Sequence, residues 1–287
     1  MSLVQRPDTF VSSGDRLFLT CTRSGACCRD KAIWINPWEL ACLARARGCA
    51  QSEFRDRFTI DGGIRLRMEE SLWCSQYVPS SGCSAYAGRP LACRLYPLGR
   101  RRKSEKVDYL YRGAQFACLR ECPDVKQLPQ LSVAEYLVGQ EVVAGEAAQD
   151  AYLETMQDLA EGALVLLLEG GLATSGDRLT LPRWRARGAM SGAERAATLI
   201  PAWLDRLTTP ALDSLLGDPA KFIERHHDLL QEQAQSEFGS LSDPAALRAA
   251  AALMMALALQ LGRSLGFETP DLADRWVGTA KQHGALG

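Results

Sequence analysis

Tyr86-Ala-Gly-Arg89-Pro90-Leu-Ala-Cys93-Arg94-Leu-Tyr96-Pro97 is the densest part of a cysteine-rich stretch that sets the character of the N-terminal half of this chain. Upstream of it lie Cys74, Cys83 and the turn-like string Cys21-Thr-Arg-Ser24-Gly-Ala-Cys27-Cys28, and downstream come Cys118 and Cys122. Thiolates bind soft and borderline metals, so eight cysteines drawn from several short segments read first as a metal or iron–sulfur site. Arg89-Pro90 and Pro97 interrupt regular structure around Cys93, because the residue before a proline is pushed out of the helical region. Loops of this kind let several sulfurs converge on one point.

The rest of the chain differs from this stretch. All ten cysteines of the 287 residues lie in positions 1–122. Residues 1–127 carry 21 Lys and Arg against 13 Asp and Glu, whereas residues 128–287 carry 12 against 21. The expected organisation is therefore a basic, cysteine-rich domain over residues 1–127 and an acidic, cysteine-free domain over residues 128–287. The N-terminal segment lacks a basic start leading into an apolar run, so no signal peptide is expected. The longest uncharged apolar stretch, residues 249–259, is far short of the roughly 20 residues a membrane span needs. The sequence thus predicts a cytoplasmic protein with no membrane span. In that reducing setting thiols favour metal binding over disulfides.

Local signals fill in the elements. Residues 15–21 and 31–35 have the pattern of short strands flanking a glycine-containing turn. Asn36-Pro37-Trp38-Glu39 has the order of an N-cap, a first-turn proline and an acidic third residue, predicting a helix to about Arg47 that Gly48 ends. A second short helix is expected from Ser52, a half-wet strand over residues 64–68 and another over residues 106–112. The basic run Arg100 to Lys103 reads as a solvated loop. Beyond Asp124, residues 131–143, 147–168, 191–207, 211–216, 219–238 and 244–265 have helical composition and spacing, interrupted by a small hairpin over residues 172–181. The fold class is α+β: a small cysteine-rich metal-binding domain of short strands and helices, followed by a mainly α-helical bundle.

The chemistry narrows by elimination. No C-x2-C pair occurs, which removes zinc-finger knuckles and thioredoxin-type motifs. Adjacent Cys27 and Cys28 favour different irons of a cluster, or two separate metals, over one tetrahedral ion. Cys122-Pro123 hints at iron–sulfur, and two four-cysteine zinc sites are the competing reading. Phosphate-loop, zincin and hydrolase-elbow motifs are absent. His226 and His227 sit on an amphipathic helical pattern and read as surface or interface residues; Cys42 and Cys49 read as packing residues. Arg23, Arg29, Arg89 and Arg94 flank candidate ligands, where positive charge offsets thiolate charge; for Arg89 and Arg94 a structural role is preferred.

The series Cys21-x2-Ser24-x2-Cys27-Cys28, Cys74, Cys83-Ser-Ala-Tyr86-x2-Arg89-Pro90-x2-Cys93-Arg94-x-Tyr96-Pro97 resembles the YkgJ-type cysteine-cluster family, a zinc- or iron-chelating domain, over about residues 17–125. The string R-P-x-x-C-R-x-Y-P is the specific part, and Ser24 departs from the fuller C-x2-C-x2-CC form. The resemblance implies Cys21, Cys27, Cys28, Cys74, Cys83 and Cys93 as principal ligands. Cys118 and Cys122 would complete a cluster or hold a second ion, with buried packing as their other reading. The implied cofactor is an iron–sulfur cluster of the 4Fe-4S type or zinc. A similar cysteine pattern occurs in flagellin lysine N-methylases, which implies as an alternative a cluster-dependent, protein-modifying methyltransferase using S-adenosylmethionine. No catalytic residue follows from either reading. A protein partner or substrate stays open, and nucleic acid has no support, since it would want a wider basic face with stacking aromatics.

Overall fold

A computed structural model describes residues 9–20, 25–79, 81–103, 106–111, 123–171 and 177–286. They form an α+β structure whose strands belong to the N-terminal part of the chain and whose long helices follow. The chain separates into two compact units, and these do not follow a single cut near residue 127. One unit comprises residues 1–33 and 67–146; the other comprises residues 34–66 and 147–287.

The first unit is built from short elements. Strands β1 (Thr9–Val11), β7 (Leu98–Lys103) and β8 (Lys106–Tyr111) make an antiparallel sheet in the order β1-β8-β7, with Tyr111 opposite both Thr9 and Leu98. β2 (Arg16–Leu17) pairs with β9 (Leu131–Ser132), and β5 (Tyr77–Val78) with β6 (Gly82–Cys83). The run Arg100 to Lys103 is thus a strand and not a loop. Its backbone is paired to β8, while Arg100 faces Glu146 at 3.3 Å and Arg101 faces Asp108 at 3.5 Å, so the repelling cations are separated onto two faces. Helix α3 (Leu91–Leu95) is one short turn, and helix α4 (Val133–Gly139) starts from a Ser132–Glu135 capping box. Buried apolar side chains are few here. Leu17, Leu19, Leu98, Tyr111, Val125, Val133 and Tyr136 form one cluster, and Leu91, Leu95 and Val142 a smaller one.

The second unit holds the large core. Helix α1 (Pro37–Arg47) has the expected Asn36–Glu39 capping box and a left-handed Gly48 at its end. It is followed by α2 (Gln51–Phe58) and the β3 (Thr59–Ile60)–β4 (Arg65–Leu66) ribbon. Of the strand expected over residues 31–35, only an isolated bridge from Trp34 to Arg65 forms. These elements cluster with the helices because their apolar faces enter the same core. Ala41 is fully buried in it, Cys42 packs against it, and the Gln260 side chain donates to the Asp61 carbonyl at 2.6 Å.

Helix α5 (Val142–Glu169) begins in the first unit and continues into the second. α6 (Thr180–Ala189) overlaps the end of the expected hairpin at Thr180 and Leu181, and Asp177 accepts from the Leu179 and Thr180 amides at its start; residues 172–176 lie outside the described residues. The expected helix over 191–207 is two, α7 (Gly192–Ala197) and α8 (Pro201–Thr208), since Pro201 can open a helix but not sit inside one. Residues 211–216 form only a short 3-10 turn, Asp213–Leu215. α9 (Pro219–Phe238) and α10 (Pro244–Ser264) follow as expected, and α11 (Thr269–Gln282) was not anticipated. By length and composition α10 could cross a membrane, being longer than the uncharged stretch inside it. In this fold 67% of its most apolar window is buried, with Met255 to Leu259 entirely so: it is the central core helix.

Candidate metal centre

The centre is built from three turns of the first unit. Gly25, at φ 77°, starts a 3-10 turn over Ala26–Cys28 in which the Cys28 amide donates to the Gly25 carbonyl at 2.7 Å. A side chain at Gly25 would collide with Tyr77, whose ring stacks on Trp73 at 4.1 Å. Trp73 in turn bridges Arg29 through the backbone. The Cys74 amide donates to the Cys28 carbonyl at 2.8 Å, which fixes the second turn against the first. In the β5–β6 ribbon Cys83 is opposite Tyr77, and the Ser84 amide donates to the Gln76 carbonyl at 2.8 Å.

Cys93 is held in α3 by the hydrogen bond its amide donates to the Pro90 carbonyl at 3.0 Å. Around it Arg94 donates to the carbonyls of Arg89, Gln140 and Ala87 at 2.9, 2.9 and 2.7 Å. Arg89 lies 3.6 Å over the Tyr86 ring and donates to the Gln140 side chain at 3.1 Å. Both arginines therefore brace the motif, the structural role their positions suggested. Tyr136, delivered by the capped start of α4, donates to the carbonyls of Arg94 and Tyr96 and closes the turn after Cys93.

Five candidate ligands are thus gathered. Cys27, Cys28, Cys74, Cys83 and Cys93 are half-buried and not disulfide-bonded. The Cys27 and Cys28 sulfurs lie 3.9 Å apart. Contact with Cys28 lowers the Cys27 thiol to about 7 against the opposing effect of burial, and the positive charges of Arg89 and Lys31 add to the lowering. Cys28 is pushed up by that same contact, by burial and by the charges of Cys27, Cys93 and Cys74. Cys74 is raised first by burial, then by the charges of Cys83 and Cys27. Cys28 and Cys74 are thus raised by neighbouring thiols, and ionising one makes the next costlier unless a cation joins them. That donor set fits a thiophilic metal. Among the described residues no three His, Cys, Asp or Glu side chains close onto one point, so the five are assembled short of a closed coordination shell. The other three candidates, Cys21, Cys118 and Cys122, and the departing Ser24 lie outside the described residues.

Other candidates are placed elsewhere. Cys42 and Cys49 belong to the second unit; Cys42 packs on the core, and the Cys49 thiol points to the Ala44 carbonyl at 3.8 Å. His226 is not a surface residue. It is fully buried, accepting at Nδ1 from the Tyr152 hydroxyl at 2.8 Å and donating from Nε2 to the Arg206 carbonyl at 2.9 Å, a pairing that leaves it neutral. Sequence reading did not find the Gly25–Tyr77–Trp73 wall or the Tyr136 latch. A glycine inside a cysteine string and the phase of the Ser132 helix were the available signals.

Residues 20–112 match the model of the CxxCxxCC family, described as "Putative zinc- or iron-chelating domain". Comparison with curated proteins and with solved structures gave no match. The family description carries metal chelation and says nothing of S-adenosylmethionine or methyl transfer. With its thiols drawn together by the turns around Gly25, Cys74 and Cys93, the segment 20–112 is similar to the cysteine-cluster domains of the CxxCxxCC family, which are described as zinc- or iron-chelating.

Proposed function

We propose that the chain is a thiolate metalloprotein in which Cys27 and Cys28 bind the same ion, with two further ligands drawn from Cys74, Cys83, Cys93 and Cys21. The observation that carries this is the 3.9 Å separation of the Cys27 and Cys28 sulfurs. Two thiolates on one tetrahedral ion with bonds of about 2.3 Å stand about 3.8 Å apart, so this pair already spans one edge of such a site. The sequence alone favoured different irons of a cluster, or two separate metals, for the two neighbours. The separation supports a mononuclear centre, zinc before an iron–sulfur cluster. Arg89 and Lys31 offset thiolate charge from the protein side, and Arg94 and Tyr136 hold the Cys93 turn in place. A bound ion supplies charge neutralisation and a cross-link between turns that the small apolar clusters of this unit do not provide.

Anaerobic purification followed by metal analysis and an absorption spectrum tests the reading. The expected product is colourless and carries stoichiometric zinc. A brown protein with iron and acid-labile sulfide would replace zinc by a cluster. A folded protein without any metal would remove the proposal altogether.

A further inference from the structure

The helical unit has a feature that metal chelation does not use. A groove of about 750 Å³ runs between α5 and α9, with Met254 of α10 and Leu241 contributing to its lining. The α5 wall is Asp158, Leu159, Gly162, Val165, Leu166 and Glu169, one continuous face at three- and four-residue spacing. The α9 wall is His227, Leu230, Gln231, Ala234 and Phe238, again a single face. A side-chain carbon at Gly162 would stand 3.2 Å from the Met254 methyl, so the glycine keeps the groove deep at its middle. Val165 leaves 52% of its surface in water there.

Charge separates the possible occupants. α5 carries Glu146, Asp150, Glu154, Asp158, Glu161 and Glu169 and not one Lys or Arg over its whole length. α9 has Lys221 and Arg225 in its first half and none after them, while Asp228, Glu232 and Glu237 follow; Arg225 pairs with Asp228 and Glu232, leaving Glu237 without a Lys or Arg partner among the described residues. Within the lining, Glu232 is paired with Arg225 at 2.7 Å and Asp158 meets His227 at 3.2 Å, while Glu169 has no cationic partner among the described residues. An acidic rim repels anionic lipid and nucleic acid. The groove is only partly enclosed, which suits a ligand that brings its own second face better than a small molecule needing enclosure. At 1.5 Å per residue the face from Asp158 to Glu169 is about 17 Å long, or about three helical turns.

We propose that this groove docks a basic amphipathic helix of about three turns from a partner protein, apolar side chains entering over Gly162 and flanking Lys or Arg meeting the α5 and α9 carboxylates. The test uses the full chain and a fluorescein-labelled synthetic helix with Leu at positions i, i+3, i+4 and i+7 and Lys on its flanks. Fluorescence anisotropy should show saturable one-to-one binding that weakens at least tenfold between low and high salt. Val165→Arg and Glu169→Lys, both at exposed positions, should each weaken it at least fivefold without shifting thermal unfolding, while Val143→Arg, on α5 outside the groove lining, should not. Equal binding by a peptide with the Leu positions scrambled or with Glu in place of Lys would overturn the proposal, as would indifference to both groove variants. Dimerisation of the chain blocked by Val165→Arg, with no peptide binding, would assign the groove to a second copy and equally overturn it.

Discussion

At the scale of single residues, position decides which cysteines matter. Cys93→Ser should release metal and destabilise the first unit, whereas Cys42→Ser, at a thiol that packs on the helical core, should keep the full metal content; metal analysis of the two purified variants checks both. Gly25→Ala should destabilise the same unit by about 2 kcal/mol, because alanine resists a positive φ and its methyl would meet the Tyr77 ring. A chemical-denaturation midpoint measured with metal present reads that effect. His226 predicts a pH dependence in the other unit. Burial lowers it from 6.5 to about 4, so the unfolded chain takes up the proton first as pH falls. Stability from this residue is complete above pH 6.5 and is lost progressively towards pH 4, by about 3 kcal/mol. Hydrogen exchange of α9 amides should show that slope, and His226→Gln should remove it.

Between elements, small residues set how close helices approach. Gly188 in α6 faces α11, and a methyl there would fall 2.6 Å from the Ala273 side chain and 2.9 Å from the Thr269 carbonyl. Alanine would improve helix propensity by about 1 kcal/mol, yet backbone and a second helix must shift to admit it. Gly188→Ala should therefore lower stability by about 1–3 kcal/mol, visible as a lower melting temperature of the helical unit. Arg195 makes a comparable contact in buried form. It donates to Gln260, to the Arg187 and Met190 carbonyls and to Thr269, tying α7, α10 and the end of α6 together. Burial lowers its pKa to about 10, and the positive charge of Arg263 adds to the lowering.

For the whole molecule, the distribution of apolar core separates what needs metal from what does not. Among the described residues the first unit has only small buried clusters, whereas one continuous core runs through the second. Metal binding can supply on the order of 10 kcal/mol of folding free energy, so chelation should unfold the first unit and spare the second. Hydrogen exchange after chelator treatment should rise over residues 67–111 and stay low over residues 34–66 as well as 177–286. The segment 34–66 makes the prediction sharp, since it lies inside the cysteine-rich sequence but packs with the helices. Exchange rising there together with residues 67–111 would refute the division into these two units.

The sequence by itself determined the α+β class, the metal-chelating character of the cysteine half, the capped helix after Asn36 and the long helices α5, α9 and α10. Each rests on a local signal: thiol chemistry, a cap, or an apolar repeat along one element. Tertiary structure alone decided the rest. It drew residues 34–66 into the helical unit through Ala41 and the Asp61 turn, turned Arg100 to Lys103 into a paired strand, and buried His226 beneath Tyr152. It also set the two neighbouring sulfurs of Cys27 and Cys28 at 3.9 Å. Partners distant in sequence make these choices, and no local pattern records which partner a side chain will find.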